Sequence, residues 1–489
     1  MSANAAASLP ARGPLWLLGA GLLLALFAAP GPHPWDAGEL VAAALRLGGS
    51  HPPGQPLHAL LAHPLSWLPI GPLPYRIALG SALFATIAAW LVYRIAAELL
   101  EWFLPDRDRG GAARRLAPHA AALATLLSGP VLRQALRVEV YGLALALALG
   151  AALALLRWAR GDRAALRWAA LLAGLCAAAH PPLALASIAL GALWWRPGPL
   201  RRRLGEVALA APFFLLGLGV YALLPLRALA GAPMWGDPTR LDGFWRYVSG
   251  AAYHQNLGAG DRAWLTQIVE GISFVGLASG LIPLLGVGML LLCRDRACQV
   301  PGARVRLALT PFVAGIPVMM QPLRSENPDA VAYAGLGVAL LLAFGAAGLA
   351  SLAARRPALG LTLLGLLGLH PLGASAAWEL GQADPASLET LAANLTQTPP
   401  PRALVVARTD FVAASWMMAR EVDGARPDVA VFVPGLGTSS WHWRSLREHP
   451  LYDGRPLRGP GEDASRAYLR GALTRAGGQV GIAAEDDAS

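Results

Sequence analysis

The chain contains no lysine: all 40 of its basic residues are arginine. That absence excludes a Schiff-base lysine and a lysine phosphate clamp, and leaves arginine and histidine to meet any anion. Charge is scarce as well, at 14% of residues against 55% hydrophobic ones. With a mean hydropathy of +0.46, a single water-soluble domain of 489 residues is excluded. Cysteine is limited to Cys176, in an apolar run, and Cys293 and Cys298, which flank Arg294 and Arg296, so no structural disulfide is implied. The wealth of Ala, Gly, Pro and Leu beside absent lysine points to a GC-rich bacterial genome.

What the chain does have is a series of apolar runs near membrane-spanning length, from Leu15 to about Leu372, separated by arginine clusters. The net charge of +10 and pI near 10.2 would suit nucleic acid. The arginines, however, sit mostly in short loops between apolar runs, so no nucleic-acid partner is expected. Helices are expected near 14–30, 76–99, 116–132, 138–156, 206–225, 266–292, 307–320, 331–352 and 357–373. The stretch 168–195 reads as two short helices broken at His180-Pro181-Pro182, because proline removes a backbone donor and disfavours helix before it. That makes about eleven spans. With the N-terminus cytoplasmic, one orientation puts the arginine clusters on the inner side and leaves the tail outside.

Residues 375–489 differ in character. They are polar, and "RALVVARTD", "FVAASWMMAREV" and "RPDVAVFVPG" read as strand, amphipathic helix and buried strand, a β-α-β unit in a small extracytoplasmic α/β domain. No Gly-x-Gly-x-x-Gly loop follows the first strand, so no dinucleotide is assigned. The ending "AAEDDAS" reads as a frayed tail.

The chemistry-bearing stretch is "WDAGELVAAALRLGGSHPPGQPL", residues 35–57. Asp36 and Glu39 stand one helical turn apart and can point the same way. Carboxylates beside a membrane segment are costly to desolvate. The bland reading makes Asp36 a helix cap suited to the helix dipole. Against it stands the following Pro-rich, amphipathic surface stretch with Trp67 and several histidines, as at a bilayer interface.

This segment, continued by "YRIALGSALFA", resembles the signature of the transmembrane protein O-mannosyltransferases of the plexin/IPT-domain type and their bacterial relatives, in the GT-C superfamily of membrane glycosyltransferases. "RVEVYGLALALAL", "LPLRALAGAPMWGDP", "NPDAVAY" and "RPDVAVF" match in order. Two departures stand out: Gln55 replaces the usual tyrosine of HPPGYPL, and Ala78 the usual asparagine after the Arg-Val pair. The resemblance implies an α-helical, multi-pass, GT-C-like fold. Residues 1–374 would form the membrane glycosyltransferase domain, with external loops at 31–75 and 226–265. The implied reaction moves a sugar, mannose or a similar hexose, from a polyprenyl phosphate in the bilayer to an acceptor hydroxyl on the extracytoplasmic face of the bacterial plasma membrane. Acceptors of the protein Ser/Thr type and acceptors on a cell-envelope glycan or lipid both stay open.

Such chemistry requires a base at the acceptor hydroxyl and cations at the departing phosphate. The resemblance maps the base to Asp36, with Glu39 as helper or alternative. His51 is assigned to the phosphate or to orienting the acid, the alternative being a turn-capping histidine. Arg227 and Arg324 are the phosphate cations, their bland reading being interfacial snorkelling. Trp235, Asp237 and Tyr253 would line a sugar or acceptor subsite. Arg137 and Glu139 read as a pair at a helix start, and His180 as a helix-break residue. Asp237 and Asp242 do not form a DxD pair, so no tightly held metal is implied, although some superfamily members use one. A transporter would place ionisable residues at mid-membrane and show internal repeats. A scaffold would leave the HPPG motif without a use.

Overall fold

The computed structural model describes residues 14–31, 36–103, 111–195, 198–251, 279–292, 302–319, 328–369, 396–401, 403–407 and 410–433, with a few isolated residues and a strand at 481–483 besides. Its α-helices are α1 Trp16–Leu26, α2 Ala37–Arg46, α3 Pro56–Ala62, α4 Leu73–Phe103, α5 Ala112–Leu127, α6 Gly129–Ala135, α7 Tyr141–Ala159, α8 Arg163–Ala179 and α9 Pro181–Leu193. Then follow α10 Leu200–Leu218, α11 Leu223–Leu229, α12 Leu241–Val248, α13 Leu281–Leu292, α14 Ala303–Ala314, α15 Ile316–Met319, α16 Gly335–Ala353, α17 Pro357–Leu369 and α18 Asp410–Glu421. Three 3-10 turns, His63–Trp67, Gly219–Ala222 and Pro328–Ala334, and the strands β1 Leu404–Ala407, β2 Ala430–Phe432 and β3 Gly481–Ala483 complete the described elements.

Four helical stretches among the described residues are long and apolar enough to cross a membrane: Leu73–Trp102, Tyr141–Ala159, Leu200–Leu229 and Val331–Ala353. Shorter apolar helices are Trp16–Leu26, Pro181–Leu193 and Pro357–Leu369. Burial differs sharply among them. Every residue of α16 is buried, whereas only 17% of the most apolar window of Leu200–Leu229 is buried. α16 is the axis of the bundle, and Leu215, Leu216 and Leu226 face outward, as lipid contact requires. Small residues permit the close approach: the bare backbone of Gly348 packs onto Gly286 O of α13, and Gly345 onto Pro283.

Local breaks follow proline. The helix expected over 116–132 is two: α5 stops at Leu127, Ser128 is extended (φ −67°, ψ 142°), and α6 restarts with proline in its first turn. The break at His180 falls where expected, with His180 extended (φ −159°, ψ 96°) between α8 and α9. α4 runs on to 31 residues, beyond the expected 76–99, because nothing in "AAELLEWF" breaks a helix.

The tail contains the β-α-β arrangement. β1 pairs in parallel with β2 (Leu404 opposite Ala430) and with β3 (Val405 opposite Gly481), giving the order β2-β1-β3. Val412, Ala413 and Trp416 of α18 close over this sheet with Val405, Ala407 and Val429.

Candidate functional site

α2 carries the two carboxylates. Asp36 stands at its N-cap, but its side chain makes no capping bond to the helix. Capping therefore does not account for it. Glu39 lies in the first turn and is 1% exposed, within an unbroken buried run from Ala37 to Ala44. The first two turns of the helix are thus walled in by protein. The amphipathic expectation holds for the segment after it: Pro56, Leu57 and Ala59 are buried, while Trp67 and Ile70 are exposed.

The turn after α2 brings His51 back onto these acids. The His51 backbone N–H donates to Glu39 Oε1 at 3.2 Å, and its ring Nδ1 contacts the same oxygen. Asp36 Oδ2 lies 3.8 Å from Nδ1. The turn requires glycine at Gly54 (φ +90°), where a Cβ would also sit 3.0 Å from Leu224 and 3.1 Å from the Tyr247 ring. Burial pulls the His51 pKa down, but the charge and hydrogen bond of Glu39 and the charge of Asp36 prevail and hold it at about 10. His51 is a cation at neutral pH. Its Nε2 lies 3.0 Å from the Gln55 amide, whose far end contacts Ser50 Oγ. The Gln55 side-chain nitrogen is the end nearest Nε2, and Gln55 Oε1 accepts from the Ser50 hydroxyl. Gln55, the departure noted in the motif, thereby contacts His51 on the side away from Glu39.

Four residues pin this arrangement. Arg227, at the end of α11, donates to Leu47 O (3.3 Å) and Arg46 O (3.0 Å), capping the C-terminus of α2 just where Leu47 turns left-handed (φ 49°). Gly49 N–H donates to Pro233 O at 3.0 Å, and the Tyr247 hydroxyl to Ser50 O. His63 Nδ1 meets Ala44 O at 2.8 Å.

Behind the turn lies a buried ionic cluster whose full extent the sequence did not reveal. Arg137 donates to Asp329 and lies 3.5 Å from Glu139. Gln134 Oε1 accepts from Arg137 Nη2 at 3.0 Å. The expected Arg137–Glu139 pair is present, but Asp329 is the closer partner. Burial and the Asp329 charge push the Glu139 carboxyl well above the usual range against the pull of Arg137, and the charges of Asp36 and His51 also reach it. His180 packs its ring 5.0 Å from Tyr141 and 5.0 Å from Tyr333 beside this cluster.

The remaining expected residues are placed as follows. Trp235 is buried, at 8% exposure, next to the Gly236–Tyr247 contact. Asp237 accepts from Thr239 Oγ1 at 2.6 Å and from its N–H at 3.3 Å, a local turn. Arg324 and Tyr253 lie outside the described residues. Asp36, Glu39 and His51 each offer one ligand atom, all within 4.8 Å of one another, and form the set among the described residues that could hold a metal ion. Glu39 Oε2, buried and without a hydrogen-bond partner there, fits that use; His51 would have to give up its proton to ligate.

The class defined by these observations is a polytopic helical membrane protein with an acid–histidine cluster at the mouth of its first loop helix. Residues 36–196 match the family described as Protein O-mannosyl-transferase TMEM260 N-terminal domain. Over 59 residues the chain is 46% identical to the mouse Protein O-mannosyl-transferase TMEM260, an alignment that takes in 12% of this chain and only 8% of the mouse protein. Over this region the chain is similar to O-mannosyl-transferase sequences. Two crystal structures of the Archaeoglobus fulgidus oligosaccharyltransferase, one with zinc and sulfate and one tethered to an acceptor peptide containing the NVT sequon, align at 13% identity and a TM-score of 0.46. They cover 86% of this chain and 62% and 64% of theirs.

Proposed function

We propose that the protein is a membrane glycosyltransferase that moves a hexose, mannose in the first instance, from a polyprenyl-phosphate donor to an acceptor hydroxyl, with protein Ser/Thr as the acceptor. The observation that carries this reading is the Asp36–Glu39–His51 cluster, lying within and at the start of the segment similar to an O-mannosyl-transferase domain. Asp36, with 29% of its side chain exposed, is the base; Glu39, with 2%, holds His51. Asp36 takes the proton of the acceptor hydroxyl as its oxygen bonds to the anomeric carbon. The bond from that carbon to the phosphate oxygen breaks, and the electron pair leaves with polyprenyl phosphate. Cationic His51 sits beside the reacting carboxylate, where its positive charge favours developing phosphate charge. Arg227 and Arg324 are the further phosphate cations, and Trp235, Asp237 and Tyr253 the sugar or acceptor subsite.

The same reading places about eleven spans in a bacterial plasma membrane, with residues 1–374 as the membrane domain and 375–489 as an extracytoplasmic α/β domain. The contact of α18 with α2 supports a common side for the tail and the first loop, since Arg46 Nε lies 3.6 Å from Glu421 Oε2. The test is transfer from radiolabelled polyprenyl-phosphate mannose in membranes containing equal amounts of each variant. Asp36→Asn keeps shape but cannot take a proton, and should lose about 10²–10⁴-fold in rate. Glu39→Gln should lose less. Full transfer by Asp36→Asn would remove Asp36 from the chemistry.

A further inference from the structure

The role of the C-terminal β-α-β unit is set by how its helix seats. α18 has two apolar faces. Val412, Ala413 and Trp416 belong to the sheet cluster, while Met417, Met418 and Val422 pack against the membrane-domain core. A surface helix needs one such stripe; two mean that the helix is mortared between bodies. The second body is α2. Ala414 O touches the backbone of Gly38 so closely that a Cβ there would collide with it and lie 2.8 Å from the Ala414 carbonyl carbon. At the other end Arg46 pairs with Glu421. Position 414 lies opposite 38 and 421 opposite 46, so α2 and α18 run parallel and side by side. Since the obstruction is backbone, no side-chain motion relieves it.

We infer that Gly38 is a positioning residue: its bare backbone lets the tail helix seat against α2, and this seat fixes Asp36 and Glu39 toward His51. The tail is then a working wall of the site and not an appendage. Gly38 lies between the two carboxylates in sequence, so any shift of α2 that relieves a side chain there moves both acids. The inference rests on the glycosyltransferase reading for its effect on rate, and on geometry alone for the seat.

The experiment uses the full chain in membranes, with Cys293 and Cys298 changed to serine and with Arg46→Cys and Glu421→Cys introduced. A short bifunctional thiol reagent should join the two helices in high yield. Adding Gly38→Val should lower that yield about ten-fold, the scale of an overpacked contact. In the chain with native Arg46 and Glu421, Gly38→Val should cut kcat about ten-fold or more with the donor KM unchanged, and Gly38→Ala should lie between. Where Gly38→Val fails to accumulate, charge exchange replaces it. Arg46→Glu should expose the tail to protease several-fold faster, and adding Glu421→Arg should restore protection. Undiminished cross-linking in Gly38→Val, unaltered proteolysis in Arg46→Glu, or a poor yield in the parent pair would overturn the seat. Loss of the seat in Gly38→Val with kcat unchanged would overturn the positioning role. A parent chain inactive with every donor leaves the cross-linking result standing, so the two readings fail separately.

Discussion

Arg137 donates to Asp329 across 192 residues of sequence, joining the α6–α7 junction to the short helical turn that precedes α16. Both side chains are nearly inaccessible, at 2% and 6%. The pair therefore staples the front of the bundle, beside the acid–histidine cluster, to its central helix.

Breaking this staple on one side should be severe. Asp329→Ala leaves a buried guanidinium with Glu139, itself pushed toward the neutral acid, as its remaining carboxylate. The expected loss is about 3–5 kcal/mol of stability, seen as a fall in the thermal midpoint of the detergent-solubilised protein. The double variant Arg137→Met/Asp329→Leu should recover much of it, because replacing a buried pair with apolar side chains is often neutral. A double variant as unstable as the single would show that the charges themselves hold the junction.

Arg227 should behave first as a cap. Its two bonds run to the last carbonyls of α2, and charge-assisted bonds of this kind contribute about 1.5–3 kcal/mol each at most. Arg227→Ala should lower the thermal midpoint even without substrate, and Arg227→Lys should restore only part of the loss, since a point ammonium cannot reproduce a forked donor. If Arg227→Ala instead raises the donor KM at unchanged stability, the guanidinium serves the phosphate alone.

Much of the architecture was legible because it is written in local pattern. Apolar run length and arginine placement gave the membrane class, and the His180-Pro181 break is a local backbone effect. The strands 404–407 and 430–432 fall within the stretches expected from periodicity, and the helix 410–421 coincides with its expected stretch to within one residue. The site was legible as far as Asp36, Glu39 and His51 share one short segment. Asp329, the contact of Gly38 with Ala414, and the bonds of Arg227 to α2 were not. Each joins residues nearly two hundred positions or more apart, and neither periodicity nor propensity encodes a partner at that range. The burial of α2 escaped for the same reason: its covering helix comes from the far end of the chain.

The glycine contact inside the membrane domain makes a prediction independent of catalysis. A Cβ at Gly348 would collide with Gly286 O and sit 2.6 Å from its carbonyl carbon. Gly348→Ala should push α13 from α16 and lower stability by about 1–3 kcal/mol, whereas Gly365→Ala, with nothing within 4 Å, should be close to neutral. Equal midpoints for the two variants would show that the helices part without cost.

The pH dependence of stability should carry the signature of His51. Its pKa stands at about 10 in the folded chain against an ordinary 6.5, because burial is outweighed by Glu39 and Asp36. A group whose folded value is raised stabilises fully below its unfolded value, and that contribution drains away as pH climbs to the folded value. The window is therefore pH 6.5 to about 10. His51→Gln removes the cation and leaves Glu39 buried, so at pH 6.5 it should cost about 3–5 kcal/mol. The difference from the parent should narrow steadily above that and nearly vanish past pH 10, where the parent histidine has lost its charge too. Thermal midpoints of both proteins at pH 6, 8 and 10 in one detergent and salt give this difference directly, since every other titrating group is common to both. A difference that stays constant across the range would mean that His51 is neutral in the turn, held by shape and by Gln55, and that its cationic part in the proposed transfer must be abandoned.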